Sequence, residues 1–253
     1  MKRAMIFLYG VISYSIFFSW FLYIIAFVGD FYVPKTINSG ETTSIGLAVL
    51  VNISLVLLFG LQHSLMARGK FKNWLTRYIP ESMERSTYVL VSSVLFYFML
   101  WQWQPIPATV WNITNAMAAQ VIYAVFAAGW LILLLSTFLI NHFELFGLQQ
   151  VFFQLLKKVA GKPRFVTPLF YKNVRHPMMI GIFLAVWATP HMTVGHLLFA
   201  LGMTAYILVG VYYEERDLVK TFGDDYINYQ ETVPKIIPSL KAKTKEQVSV
   251  DAL

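Results

Sequence analysis

Three groups of polar residues interrupt an otherwise apolar chain, and their residue types are those that bind or move charge. Asn141, His142 and Glu144 form the first, and Tyr171, Lys172, Asn173, Arg175, His176 and Pro177 the second. The third is Glu214, Glu215, Arg216 and Asp217, followed by Phe222, Gly223, Tyr226, Tyr229 and the Val233, Pro234 pair. Pro177 suits the first position of a helix, where its missing N–H costs nothing, and a helix N-terminus attracts an anion. Arg175 beside it adds a planar cationic fork that matches a carboxylate or phosphate. A basic anchor at a membrane surface would use Arg175 and His176 equally well. Glu214 and Glu215 fall at the end of an apolar run, where carboxylates oppose the helix dipole. A cation must compensate them, whether Arg216, an arginine from another loop or a ligand; the plainer reading is a solvated helix end.

Other chemistries are excluded. The chain has no cysteine, which removes disulfides, thiolate zinc sites, iron–sulfur clusters and cysteine nucleophiles together. His191 and His196 are five apart and share no helical face, and HExxH spacing does not occur, so no metal site is expected. His142 and Glu144 are two apart, which points them in different directions on a helix. Walker, dinucleotide-binding and GxSxG patterns are all missing from the sequence.

The elements that must position these groups belong in a membrane. Of 253 residues, 57% are hydrophobic and 13% charged, against about 25% charged in soluble domains. Ser86 to Phe143 and Pro177 to Tyr213 carry no charged residue at all. A bilayer core of roughly 30 Å needs about 20 apolar residues in a helix. Ala4 to Val28, Ile45 to Met66, Thr87 to Trp103, Ala116 to Ile140 and Thr193 to Tyr213 meet or approach that length, and Met178 to Thr189 is apolar but short. The expected fold is all-α: a polytopic helical integral membrane protein with five full spans plus one short apolar segment. Of the 20 Lys and Arg, only Lys35 falls outside when that segment is counted as a crossing, which predicts cytoplasmic termini by the positive-inside rule. The net charge of +7 thus reports orientation, since the basic residues are too interrupted by apolar runs for a nucleic-acid surface. Leu145 to Val159 has Leu148, Phe152, Leu155, Leu156 and Val159 at helical spacing, as in a helix lying in the interface. The first apolar stretch is too long for a signal peptide and no small-residue cleavage site follows it.

Asn141 and His142, then YKNVRHPMMIG from Tyr171 to Gly181, then Glu214 and Glu215 followed by FGDDYINYQETVP, resemble the signature of the isoprenylcysteine carboxyl methyltransferase and phospholipid methyltransferase superfamily. In the N-terminal half, LQHSLMARGKFKNW and ERSTYVLVSS are similar to NnrU-type membrane proteins. The resemblance implies one membrane-embedded methyltransferase domain over 1–253, with N-terminal spans in 1–140, a cofactor-binding part in 141–240 and a polar tail in 241–253. It implies binding of S-adenosylmethionine at the cytoplasmic face by Asn141, Tyr171, Arg175, His176, Pro177, Gly181, Glu214, Glu215 and Tyr226. Arg175 and the amides after His176 suit the carboxylate, and Glu214 or Glu215 the ammonium or ribose hydroxyls. Tyr171 and Tyr226 suit the adenine.

Two positions depart from the family pattern. Where the isoprenylcysteine enzymes carry an arginine five residues before the second glutamate, this chain has Gly210, which disfavours a carboxylate acceptor. Where the family often has tyrosine two residues after the RHP proline, it has Met179. The resemblance across both halves of the chain implies methyl transfer to a small thiol, methanethiol giving dimethyl sulfide, with His142 and Glu215 as candidate bases. A lipid or isoprenylcysteine acceptor, or a non-enzymatic NnrU-like role in a respiratory membrane, are the alternatives. The expected partners are the thiol and membrane lipid, with no nucleic acid, in a bacterial cytoplasmic membrane; the oligomeric state is left open.

Overall fold

The computed structural model describes residues 1–31, 33–159, 161 and 164–238; the expected polar tail over 241–253 lies outside the described residues. The chain is mostly helical, and it is an integral membrane protein. Four helices among the described residues are long and apolar enough to cross a bilayer: α1 (Lys2–Gly29), α2 (Ile45–Met66), α5 (Ala116–Ile140) and α9 (Val194–Phe222). Between α2 and α5 lie the short α3 (Gly69–Leu75) and α4 (Glu81–Gln102). Helix α4 fills the place of the expected third span but starts earlier, with Glu81 and Glu84 in its first turn and Ser86, Ser92 and Ser93 buried. Helix α8 (Pro177–Trp187) has 11 residues, about 16 Å of rise, roughly half the hydrocarbon thickness.

The helix ends follow local chemistry. The Asn115 side chain accepts from the Ala118 N–H to start α5, and Thr193 does the same for His196 at α9. Pro177 occupies the first position of α8. Helix α1 stops where Asp30 turns left-handed, at φ 57°.

Two expectations are corrected. The fold is not purely helical: β1 (Thr109–Asn112) pairs antiparallel with β2 (His191–Thr193). Pro105 and Pro107 prevent helix in the preceding loop, and Thr109, Val110 and Trp111 favour strand. This pair links the α4–α5 loop to the α8–α9 connection at one end of the bundle, reinforced by the Trp111 indole N–H donating to the Thr189 carbonyl at 2.9 Å. The expected single helix over Leu145–Val159 is broken into α6 (His142–Leu145) and α7 (Leu148–Leu156) by Gly147, whose φ is 85°. Phe152 and Leu156 remain exposed, while Val151 is buried. Val151 sits in a notch of α1, where a Cβ on Gly10 would lie 2.4 Å from its Cγ2.

The core is aromatic. Phe17 stacks on Phe146 at 3.8 Å between centroids, Trp20 on Phe96 at 4.5 Å, and Trp103 meets Phe199 edge-on at 5.3 Å. Helices α5 and α8 approach still more closely through glycines. A Cβ on Gly181 would fall 2.7 Å from the Gly129 carbonyl oxygen, and one on Gly129 would fall 2.6 Å from the Ala185 nitrogen. Small residues at such a crossing let backbones touch, which replaces the missing hydrophobic drive inside lipid.

Candidate active site

The glycine crossing sets the start of α8 beside the end of α5. Helix α9 runs past its apolar stretch and carries Glu214 and Glu215 to the same level. Around this junction lies a cavity of about 590 Å³, within the 300–1,000 Å³ usual for small-molecule sites. Its opposite wall is Lys72 of α3 and Glu81, Glu84 and Arg85 of α4.

Glu215, 6% exposed, is the node of the site. Its Oε1 accepts from Arg175 Nε at 2.8 Å and lies 3.2 Å from His176 Nε2, and its Oε2 meets Lys235 Nζ at 3.0 Å. The compensating cations demanded by a carboxylate at a helix end are therefore Arg175 and Lys235, with the His176 imidazole at hydrogen-bond distance. Arg175 also donates through Nη1 to the carbonyls of Gln230 and Val233. The backbone repeats the connection, since the Arg175 N–H donates to the Pro234 carbonyl at 2.9 Å and the His176 N–H to the Lys235 carbonyl at 3.1 Å. Gly223, with φ 58°, allows the reversal from α9 into α10 (Asp224–Thr232) that brings this segment back. Glu214 is 43% exposed and its Oε2 lies 3.7 Å from His176 Nδ1.

Aromatic rings close one side. Phe165 packs against Tyr229, Phe222 and Tyr226 at 5.3, 5.4 and 5.8 Å. The Tyr229 hydroxyl donates to the Tyr171 carbonyl, and the Tyr171 hydroxyl to that of Ser136 at 3.4 Å. Burial pushes the Tyr229 phenol up to about 12 and raises those of Tyr171 and Tyr226 as well. All three stay protonated in the neutral range, and Tyr171 and Tyr229 act as donors.

Of the nine expected cofactor contacts, Asn141, Tyr171, Arg175, His176, Glu214 and Tyr226 line the cavity. Glu215 stands behind Arg175 and His176, Pro177 starts α8, and Gly181 faces α5 at the close crossing. Asn141 caps α6 through Oδ1 and donates from Nδ2 to Glu144 at 2.8 Å and Gln149 at 2.6 Å. His142 and Glu144 do diverge, since Glu144 lines the cavity and His142 turns into the bundle. His142 Nε2 meets the Tyr14 hydroxyl and Nδ1 the Thr137 hydroxyl, each at 2.8 Å, and its ring stacks on Phe138 at 4.1 Å. Burial lowers its pKa, which leaves a neutral imidazole at pH 7. Met179, at the family's tyrosine position, lines the cavity. Gly210 lies one turn before Glu214, and a Cβ there would meet no heavy atom within 4 Å.

The α4 wall was not among the expected site residues. Its signal is Glu81, Glu84 and Arg85 directly ahead of an apolar run, a pattern that reads first as interfacial anchoring. Carboxylates, guanidinium groups and aromatic faces in one cavity suit a ligand with a zwitterionic part and a flat ring, which is the character of S-adenosylmethionine.

The family model described as NnrU protein matches residues 51–238. Methanethiol S-methyltransferase 2 of Bradyrhizobium diazoefficiens is 49% identical over 243 residues, 96% of this chain and 93% of that protein. Methanethiol S-methyltransferase of Mycobacterium tuberculosis is 48% identical over 238 residues, 94% of this chain and 98% of that one. Nurim of Bos taurus is 29% identical over 187 residues, 70% of this chain and 71% of nurim. No solved structure matches significantly.

Proposed function

Because the chain belongs to the NnrU protein family, we propose from that premise that it is a membrane S-methyltransferase. It moves a methyl group from S-adenosylmethionine to methanethiol and yields dimethyl sulfide. The observation that carries this reading is the identity of nearly half the residues, across both halves of the chain, with methanethiol S-methyltransferases.

The site residues support the chemistry. The acceptor sulfur, as thiolate, forms a bond to the methyl carbon, and the carbon–sulfur bond of the sulfonium breaks with its electron pair left on the departing thioether. The sulfonium leaves without protonation, so the protein supplies position more than acid or base. Glu214 would hold the donor's ammonium or ribose hydroxyls, Tyr171 and Tyr226 would pack against the adenine, and Asn141 and His176 would complete the wall. Glu215 and Arg175 act mainly on one another, fixing the segments that carry the contacts. Of the two candidate bases, His142 has both ring nitrogens bonded and Glu215 is paired with Arg175 and Lys235; we take the thiol to lose its proton to solvent before capture. The lack of the family's arginine at Gly210 favours a small uncharged thiol over a carboxylate acceptor.

The proposed topology is six passages with both termini cytoplasmic, α4 and α8 serving as the third and fifth, in a bacterial cytoplasmic membrane. Purified protein given labelled S-adenosylmethionine and a panel of acceptors should release labelled dimethyl sulfide from methanethiol. Methylation of isoprenylcysteine or phosphatidylethanolamine with no volatile sulfide would overturn the acceptor, and failure to bind the donor would overturn the enzyme.

A further inference from the structure

We propose that Arg85 is the cation that holds the carboxylate of the donor's amino-acid tail, an assignment that rests on S-adenosylmethionine being the donor. Five cationic or potentially cationic side chains line the cavity: Lys72, Arg85, Arg164, Arg175 and His176. Arg175, 8% exposed at its side chain, is committed to Glu215 and two carbonyls. His176 lies between Glu214 and Glu215. Arg164 is exposed and Lys72 half-buried. Nothing among the described residues holds either side chain in one orientation, so ordering them on a ligand would cost side-chain entropy.

Arg85 differs from all four. It is half-buried, its Nε donates to the Leu145 carbonyl at 2.7 Å, and its guanidinium carbon lies 5.1 Å over the Tyr88 ring. These two contacts fix the plane of the fork. Its terminal nitrogens meet no acceptor among the described residues, although Glu81 and Glu84 belong to the same helix. A guanidinium oriented in advance, partly desolvated and left with donors to spare recognises a planar carboxylate through paired hydrogen bonds. Glu84, Glu144 and Glu214 line the same cavity and supply the opposite charge that the neighbouring ammonium requires. The N-terminal half of the chain thereby contributes directly to donor binding, which the C-terminal signature alone would not require.

The test is calorimetric binding of S-adenosylmethionine and of decarboxylated S-adenosylmethionine to the full chain in detergent. Wild type should prefer the carboxylated ligand by about tenfold to a hundredfold, the range for hydrogen bonds to a charged group. Arg85→Gln should erase that preference while keeping its affinity for the decarboxylated ligand within about twofold. Arg85→Lys, which keeps the charge and loses the fork, should fall between. Equal weakening toward both ligands in Arg85→Gln would mean a structural role and overturn the assignment. So would a preference that survives in Arg85→Gln and disappears in Arg164→Gln, or wild type that does not distinguish the ligands. Wild type that binds neither would refute the methyltransferase reading itself.

Discussion

At the residue scale, the two adjacent glutamates should separate cleanly. Glu215 is a buried anion between Arg175 and Lys235, so Glu215→Gln strands charge and should cost about 3–5 kcal/mol of stability, seen as a lower melting temperature in detergent. Glu214 is half-exposed, so Glu214→Gln should leave stability nearly unchanged and weaken donor binding by about tenfold or more. His142 offers a test by pH. Burial lowers its pKa in the folded chain, so below the unfolded value of about 6.5 the unfolded state binds more protons and stability is lost as the pH is lowered. His142→Gln should flatten that part of the stability profile, measured by thermal unfolding between pH 5 and 8. Turnover of methanethiol should also rise with pH, over a higher range, as the thiolate fraction grows. A rate already flat above pH 6.5 would point to His142 as base. Much of this chemistry was legible in the sequence, because the residue types at the RHP and EE segments already demand charge compensation. The partners were not legible, since the Tyr14 contact of His142 is 128 residues away and only the folded chain reveals it.

At the element scale, the position of α8 depends on backbone contact with α5. Gly181→Ala places a Cβ against backbone atoms, which cannot move aside as a side-chain tip would. It should cost about 1–3 kcal/mol and raise the KM for donor, because Arg175 and His176 lie just before this helix. A Gly181→Ala protein with unchanged melting temperature and KM would remove the crossing as the device that sets the site. Gly210→Arg probes the opposite case, open space. It should be tolerated in stability and donor binding but slow methanethiol turnover, read by headspace sulfide. The long helices were foreseen because an uninterrupted apolar run of 20 or more residues has few alternatives. The break at Gly147 and the β1–β2 pair were missed because a left-handed turn and a pairing between distant loops leave only faint local patterns.

At the scale of the whole molecule, the proposed topology has a simple test, since the chain contains no cysteine and any introduced thiol is the only one. Glu41→Cys and Asn112→Cys should react with an impermeant reagent added outside intact cells, and Lys70→Cys should not; the reverse pattern would invert the protein. The β1–β2 connection has a mechanical meaning as well. Two loops are tied at one end of a bundle whose ligand cavity lies at the other, about 37 Å away along the 25 residues of α5. Tweezers joined at the handle move most at the tips. A pivot at the strands would turn thermal bending of the helices into breathing at the mouth of the cavity. Loosening the pivot, for example by Trp111→Ala, which removes the bond to the Thr189 carbonyl, should speed amide hydrogen exchange around Tyr226 and Tyr229 while leaving every residue of the cavity in place.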